Sequence, residues 1–488
     1  MTTALIFLIL YFAAVVLAAK LFSRNIKNLQ DFFLAGRSLG AWPVALSFAA
    51  SWFGAASTMG SINAFHDKGF SGAWDIVIPS VMSFVVITLF MARPVAQQSH
   101  LSQPEAVESH YGRLGRLLLA LIILASTTTL IGSQMVAAGK VFQSVFGLDI
   151  TLATLISTGI VVAYSMYGGY FAVVVTDIVQ VLFIVVGFLI LLAFTAGQAI
   201  PDAAHWAQFV SGKPDSFWSW SHHWQQNIFM AVTFVLAWCI APEMWQRMSS
   251  TRNPDLAVRA SIQATFVMML LFGLVISIGM LSAQVIGKSD AVLVDLALKI
   301  PTPALSAMVL LGFVAAVTST MDSSLNVSSL TLTRDIYHGF LRPQADMREL
   351  LRASRVATAI MVLPAMAIAL YFQNIIQILW ISADIYASCM FFPVVGMLYL
   401  KNPGRWSGVL AMIFGGLTVV LSALFQHGLL PAPAFWPIWP FSTLLGISMS
   451  GLGFGLGYGL SRRSAESADP PMPTPDESSE IVAVPEPG

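Results

Sequence analysis

The stretch AAVTSTMDSSLNVSSL, residues 315–330, sets a carboxylate and a run of hydroxyls inside an otherwise apolar segment. At helical spacing Ser319, Asp322, Ser323 and Asn326 fall at i, i+3, i+4 and i+7, so their side chains stack on one face as a ladder of oxygens. An ionisable residue within a membrane helix is costly and usually faces a bundle interior or a water-filled cavity along an ion or substrate path. Hydroxyl, carbonyl and carboxylate oxygens suit a hard alkali or alkaline-earth cation, whereas softer metals ask for thiolate or imidazole. The plainer reading, that Ser and Thr only allow close helix packing, covers the hydroxyls but leaves Asp322 unaccounted for.

Composition agrees with a membrane setting. Hydrophobic residues make up 57% of the 488 and charged ones 10%, against about 25% charged in soluble domains. A soluble enzyme is excluded, and a formal net charge of zero offers no basic surface for nucleic acid. Cys239 and Cys389 lie in apolar segments and read as small core residues, not as a disulfide framework or a zinc site. The N-terminal segment has no early basic region or convincing cleavage site and reads as a retained span.

Apolar runs of about twenty residues, the length that crosses a bilayer, fall near 2–22, 41–64, 73–93, 116–146, 150–168, 171–197, 227–247, 257–286, 304–332, 353–372, 375–399, 407–426 and 439–461. These predict an all-α polytopic protein of about thirteen transmembrane helices. With that assignment 19 of the 24 basic residues, Arg247 among them, fall on one side. The positive-inside rule then puts the N-terminus outside and the C-terminus in the cytoplasm. The outer loop 199–226 carries Trp206, Trp218, Trp220 and Trp224, read as interfacial anchors. Ser102, Pro104 and Glu105 have the spacing of a capped helix start. Residues 464–488, Pro-rich and acidic, are expected to be a disordered cytoplasmic tail after a transporter domain of 1–463.

The second run, ALSFAASWFGAASTMGSINAF, is dense in Gly, Ala and Ser and is expected to be a broken helix; Pro242 interrupts the seventh. Discontinuous helices expose backbone carbonyls and half-helix ends that transporters use to hold ions and substrates. Two interruptions five spans apart predict inverted repeats over about 41–197 and 227–399, with 2–22, 407–426 and 439–461 peripheral.

Other ionisable groups lie in apolar surroundings. Asp177 needs a partner: it shares one or two cations with Asp322 if the sixth and ninth helices touch, or it is a capping or hydroxyl-bonded Asp. Glu243 and Arg247, at i and i+4, read as a local ion pair. Asp384 has no local basic partner and contacts a substrate amine, serves a gate, or faces water. All eight His fall in loops or at span ends, which argues against an imidazole proton relay, and His205, His222 and His223 lack supporting ligands for a metal.

The chain resembles the sodium/solute symporters, which share the LeuT-type 5+5 inverted-repeat core. DFFLAGRSLG at 31–40, YGGYFAVVVTDIVQ at 167–180 and AAVTSTMDSSLN at 315–326 look like three ordered motifs of that family, and the resemblance covers about residues 5–460. It implies a sodium ion between the second and ninth helices, on the backbone carbonyls of Ala50, Phe53 and Ala316 and the hydroxyls of Ser319 and Thr320. A second sodium site, known in part of the family, falls on Asp177, Ser319, Asp322 and Ser323. It implies substrate contacts at Trp52, Ser57, Gln134, Trp238 and Asp384. No basic residue is expected deep in those spans to pair a substrate carboxylate.

These readings predict a sodium-coupled symporter importing a small organic solute by alternating access through the plasma (inner) membrane, with sodium, the solute and the lipid bilayer as partners and no obligate protein partner. Proton coupling through Asp177 and Asp322, and a transporter-like membrane sensor, are the rival readings.

Overall fold

The computed structural model describes residues 2–22, 28–166, 169–220 and 224–466. The tail beyond residue 466, His222, His223 and the first two residues of the 167–180 motif lie outside the described residues. Among the described residues the fold is all helical, and the only β pairing is a single bridge between Leu39 and Thr251.

Helices occupy every apolar run. They are α1 (Thr2–Phe22), α2 in two halves (Ala41–Trp52 and Ser61–Lys68), α3 (77–96), α4 (Gln103–Phe146), α5 (Ile150–Ser165) and α6 (Tyr170–Ala199). There follow α7 in two halves (Trp224–Trp238 and Pro242–Ser249), α8 (Pro254–Val285), α9 (Pro303–Leu330), α10 (Met347–Tyr371), α11 (Ile375–Tyr399), α12 (Arg405–Gln426) and α13 (Phe441–Glu466). By length and apolar composition nine helical runs among the described residues can cross a membrane, or ten when the bent pair of α7 is one span. The last helix extends three residues past the expected domain end at 463.

Local chemistry explains the ends. Ser102 caps α4 by accepting from the Glu105 amide at 3.1 Å, Pro104 occupies the first turn, and Glu105 Oε2 accepts the Leu101 amide at 3.0 Å. The helix so begun runs on into the long α4 with a kink at Gly112, whose φ of 73° only glycine adopts easily.

α9 sits at the centre, and from Ala307 almost every residue to Leu330 is buried. It packs on α6 where Gly187 and Gly312 face each other: a Cβ on Gly312 would lie 2.7 Å from the Phe183 carbonyl. That approach places the polar face of α9 against the Asp177 turn of α6. α2 crosses the same region, and α12 and α13 pack mainly on each other and on α11, away from this centre.

A broken helix, its oxygens and a cavity

α2 is broken where the sequence suggests. Phe53 ends the first half with φ −85° and ψ 51°, and a wide turn with an i to i+5 bond, Gly60 amide to Ala55 carbonyl at 3.0 Å, begins the second. Such turns recur at functional sites. Side chains satisfy the groups freed by the break. Gln134 Oε1 accepts the Ala55 amide at 2.9 Å, the Ser57 hydroxyl donates to the Trp52 carbonyl at 2.9 Å, and the Thr58 hydroxyl donates to the Gly54 carbonyl at 2.7 Å. Gly54 is required because a Cβ there would lie 2.5 Å from Thr320 Oγ1.

The ninth helix meets this break with its hydroxyls. Ser319 Oγ lies 2.8 Å from the Ala50 carbonyl and 2.9 Å from the Ala316 carbonyl, and Thr320 Oγ1 lies 3.3 Å from the latter. The two hydroxyls and two carbonyls still hold oxygen lone pairs that a ligand could use, and an all-oxygen set of this kind suits a hard cation. Four of the five residues expected around the first ion are thus in direct mutual contact. Phe53 stands at the break itself, fully buried.

The residues expected around a second ion are arranged otherwise. Asp177 Oδ2 accepts from Ser47 Oγ at 2.6 Å and faces Arg247 Nη2 at 3.5 Å, and the same Nη2 donates to Ser323 Oγ at 2.6 Å. Asp322 accepts from the Ser165 hydroxyl of α5. The expected Glu243–Arg247 carboxylate pair is corrected: Arg247 Nη1 donates to the backbone carbonyl of Glu243 at 3.2 Å, while Glu243 Oε1 accepts from Ser324 Oγ at 3.1 Å. The break at Ala241–Pro242 restarts α7 at a 46° bend, turning Arg247 toward α6 and α9. Arg247 is 0% exposed, and its guanidinium is taken by Asp177 and Ser323.

A cavity of about 40 Å³ lies beside the α2 break, room for a few waters. Its walls include Trp52, Trp238, Phe48 and Phe234, with Ser57, Gln134 and Thr320. The Trp52 and Trp238 rings are 5.7 Å apart. Glu243 also lines it, 8% exposed, with Oε2 lacking any hydrogen-bond partner among the described residues. Four of the five expected substrate contacts are therefore gathered here. Asp384 is the exception: it accepts from Thr443 Oγ1 at 2.7 Å and lines a separate open vestibule of about 1000 Å³ with Asp67, Trp380 and Trp439. Phe234 of the small cavity packs edge-on to Trp380 of the vestibule at 5.7 Å.

Glu243 and Arg247 were hidden by their spacing, which invites a local pair. The available signal was a carboxylate directly after the proline that interrupts an apolar helix. Cys239 and Cys389 are buried free thiols, and no group of three or more potential metal-ligating His, Cys, Asp or Glu side chains occurs among the described residues.

Residues 32–415 match the profile of the sodium:solute symporter family. The chain belongs to that family. A high-affinity proline transporter of Bacillus subtilis is 27% identical, over 82% of this chain and 88% of the relative. A sodium/proline symporter of Escherichia coli is 26% identical over 96% of each chain. The substrate-bound outward-open structure of a Na+-coupled sialic acid symporter superposes with a TM-score of 0.79 at 15% identity, covering 94% of this chain and 98% of that one, a likeness of fold. The chain is a sodium-coupled solute symporter of LeuT-type fold, a multi-pass membrane protein and not an enzyme.

Proposed function

We propose that the chain imports a small zwitterionic amine solute of the proline type, one sodium ion entering with it. The sodium is held where α9 meets the α2 break, by the carbonyls of Ala50, Phe53 and Ala316 and the hydroxyls of Ser319 and Thr320. The solute occupies the neighbouring cavity, which must widen from the few-water space of this structure, its amine toward Glu243 and its apolar part against the faces of Trp52 and Trp238. A lone carboxylate among aromatic faces favours a cationic group. Proline is the solute named for the two relatives above.

One observation carries the reading: Thr320 reaches both places, its hydroxyl 3.3 Å from the Ala316 carbonyl and its side chain in the cavity wall. Sodium that fixes Thr320 and the α2 break therefore also shapes the solute site. By linkage each ligand raises the other's affinity by the same factor, so the sodium gradient drives uptake. The two-repeat organisation, thirteen crossings and a cytoplasmic C-terminus complete the proposal. The rival of proton coupling loses its simplest carrier, because Asp177 is already engaged by Arg247 and Ser47.

A thermal-shift screen of the purified protein tests this. Proline should raise the melting temperature in sodium and not in choline chloride; stabilisation by a sugar or a dicarboxylate instead, or one indifferent to sodium, would overturn it.

A further inference from the structure

The resemblance implies a second sodium on Asp177, Ser319, Asp322 and Ser323, and these side chains do not fit one. Arg247 Nη2 stands between two of the four, 2.6 Å from Ser323 Oγ and 3.5 Å from Asp177 Oδ2. Hard cations of this kind bind oxygen at about 2.3–2.6 Å, so an ion touching both oxygens would collide with the guanidinium. A third, Ser319, already faces the Ala50 and Ala316 carbonyls. The fourth, Asp322, is drawn to Ser165 of α5.

We infer that the Arg247 guanidinium is a resident cation in the place of the second sodium, so that this transporter binds a single sodium ion. A buried carboxylate demands a positive partner, because its charge is otherwise uncompensated in a medium of low dielectric. Arg247, fully buried and part of the chain itself, supplies that charge to Asp177, which is also fully buried. The pair does the bridging work of an ion. Through Ser323 it reaches α9, through Asp177 it reaches α6, and through the Ser47 hydroxyl on the same carboxylate oxygen it reaches the first half of α2. An arginine holds these helices together at every sodium concentration, whereas a bound ion would do so only when loaded. The second carboxylate oxygen, Asp177 Oδ1, has no hydrogen-bond partner among the described residues, so the site keeps capacity for a cation once the guanidinium is gone.

The inference rests on the sodium site proposed at Ser319 and Thr320, and counting bound ions separates the two. Equilibrium binding of radiolabelled sodium to the purified full-length protein, with no solute present, should saturate at one ion per chain. Ser323→Ala should also bind one, since its hydroxyl meets arginine and not sodium. Arg247→Gln should bind two, and Arg247→Gln with Asp177→Asn should return to one. Two ions in the wild type, one in Arg247→Gln, or an ion lost in Ser323→Ala overturns the inference while leaving the first site standing. No ion in the wild type, or one that survives Ser319→Ala with Thr320→Ala, overturns the underlying site instead. If Arg247→Gln does not fold, the wild-type count and Ser323→Ala decide.

Discussion

The Ser319 hydroxyl lies 2.8 Å from the carbonyl of Ala50, joining residues 269 apart in sequence at the point where α2 loses its helical geometry. The same hydroxyl lies 2.9 Å from the Ala316 carbonyl, which also faces Thr320 Oγ1 at 3.3 Å. Replacing Ser319 and Thr320 together by Ala removes two oxygens from the proposed sodium shell. At about 1.5–3 kcal/mol for each lost polar contact to a charge, the sodium concentration for half-maximal uptake should rise about a hundredfold or more. Sodium dependence unchanged in reconstituted liposomes would count against the site.

Gly54→Ala probes the same junction from the other side. The added Cβ would sit 2.5 Å from Thr320 Oγ1 and 2.8 Å from Gln134 Oε1, pushing apart the two elements that share the ion. Overpacking of this kind costs about 1–3 kcal/mol. Sodium should stabilise the variant less than the wild type in a melting experiment, and an equal sodium-induced shift would show that the break and α9 need not touch.

Helical periodicity made the polar face of α9 legible, and the small residues of the second run marked the break. Both are local properties of the chain. Which partners meet that face is a property of packing, and there the residues mislead. Spacing pairs Glu243 with Arg247, yet the bend at Pro242 and the approach of α6 send the guanidinium to Asp177 and Ser323. Asp384 looks equivalent to Glu243 in sequence, as a carboxylate in an apolar helix, but Thr443 of α13 holds it toward the vestibule. A peripheral helix contributing that hydroxyl is invisible to periodicity.

Glu243→Gln tests the amine partner in the cavity. The amide keeps the volume and can still meet Ser324, but it removes the charge offered to the solute. Solute affinity should fall by tenfold or more, about 1.4 kcal/mol, while sodium binding without solute stays within about twofold. Quenching of Trp52 and Trp238 fluorescence on adding proline gives the readout. Equal affinity in the variant would show that the solute amine lies elsewhere.

Gly312→Val tests the packing that holds Asp177 against α9. The Phe183 carbonyl is 2.7 Å from where even one methyl would be placed, and Gly187 faces it at 3.3 Å. The helices must separate, which loosens the Asp177, Arg247 and Ser323 cluster together with the core. A fall in melting temperature of several degrees is expected, and a larger fall than for Gly159→Val, where nothing lies within 4 Å. Equal effects at the two glycines would mean that the close crossing contributes little.

On the face opposite the vestibule, α4 and the wide helical turn Thr331–Leu341 that continues α9 are locked by charge. Helix α10 runs from that end back to the vestibule side, where Asn374 begins α11, so the lock and the vestibule are at opposite ends. Asp335 Oδ1 accepts from Ser102 Oγ at 2.6 Å and from Arg116 Nε at 3.2 Å, and Arg334 Nη2 donates to Glu105 Oε1 at 2.6 Å. Breaking a buried ion pair costs about 3–5 kcal/mol, comparable with the few kcal/mol that separate two states of a transporter. Asp335→Asn with Glu105→Gln should therefore open this end. Cys239 and Cys389 are buried, so a cysteine introduced at Val327, itself buried near the lock, can report the opening to a water-soluble maleimide. Labelling should rise severalfold in the double variant, and fall again when sodium and solute favour the opposite state; unchanged labelling would show that these ion pairs do not close the path.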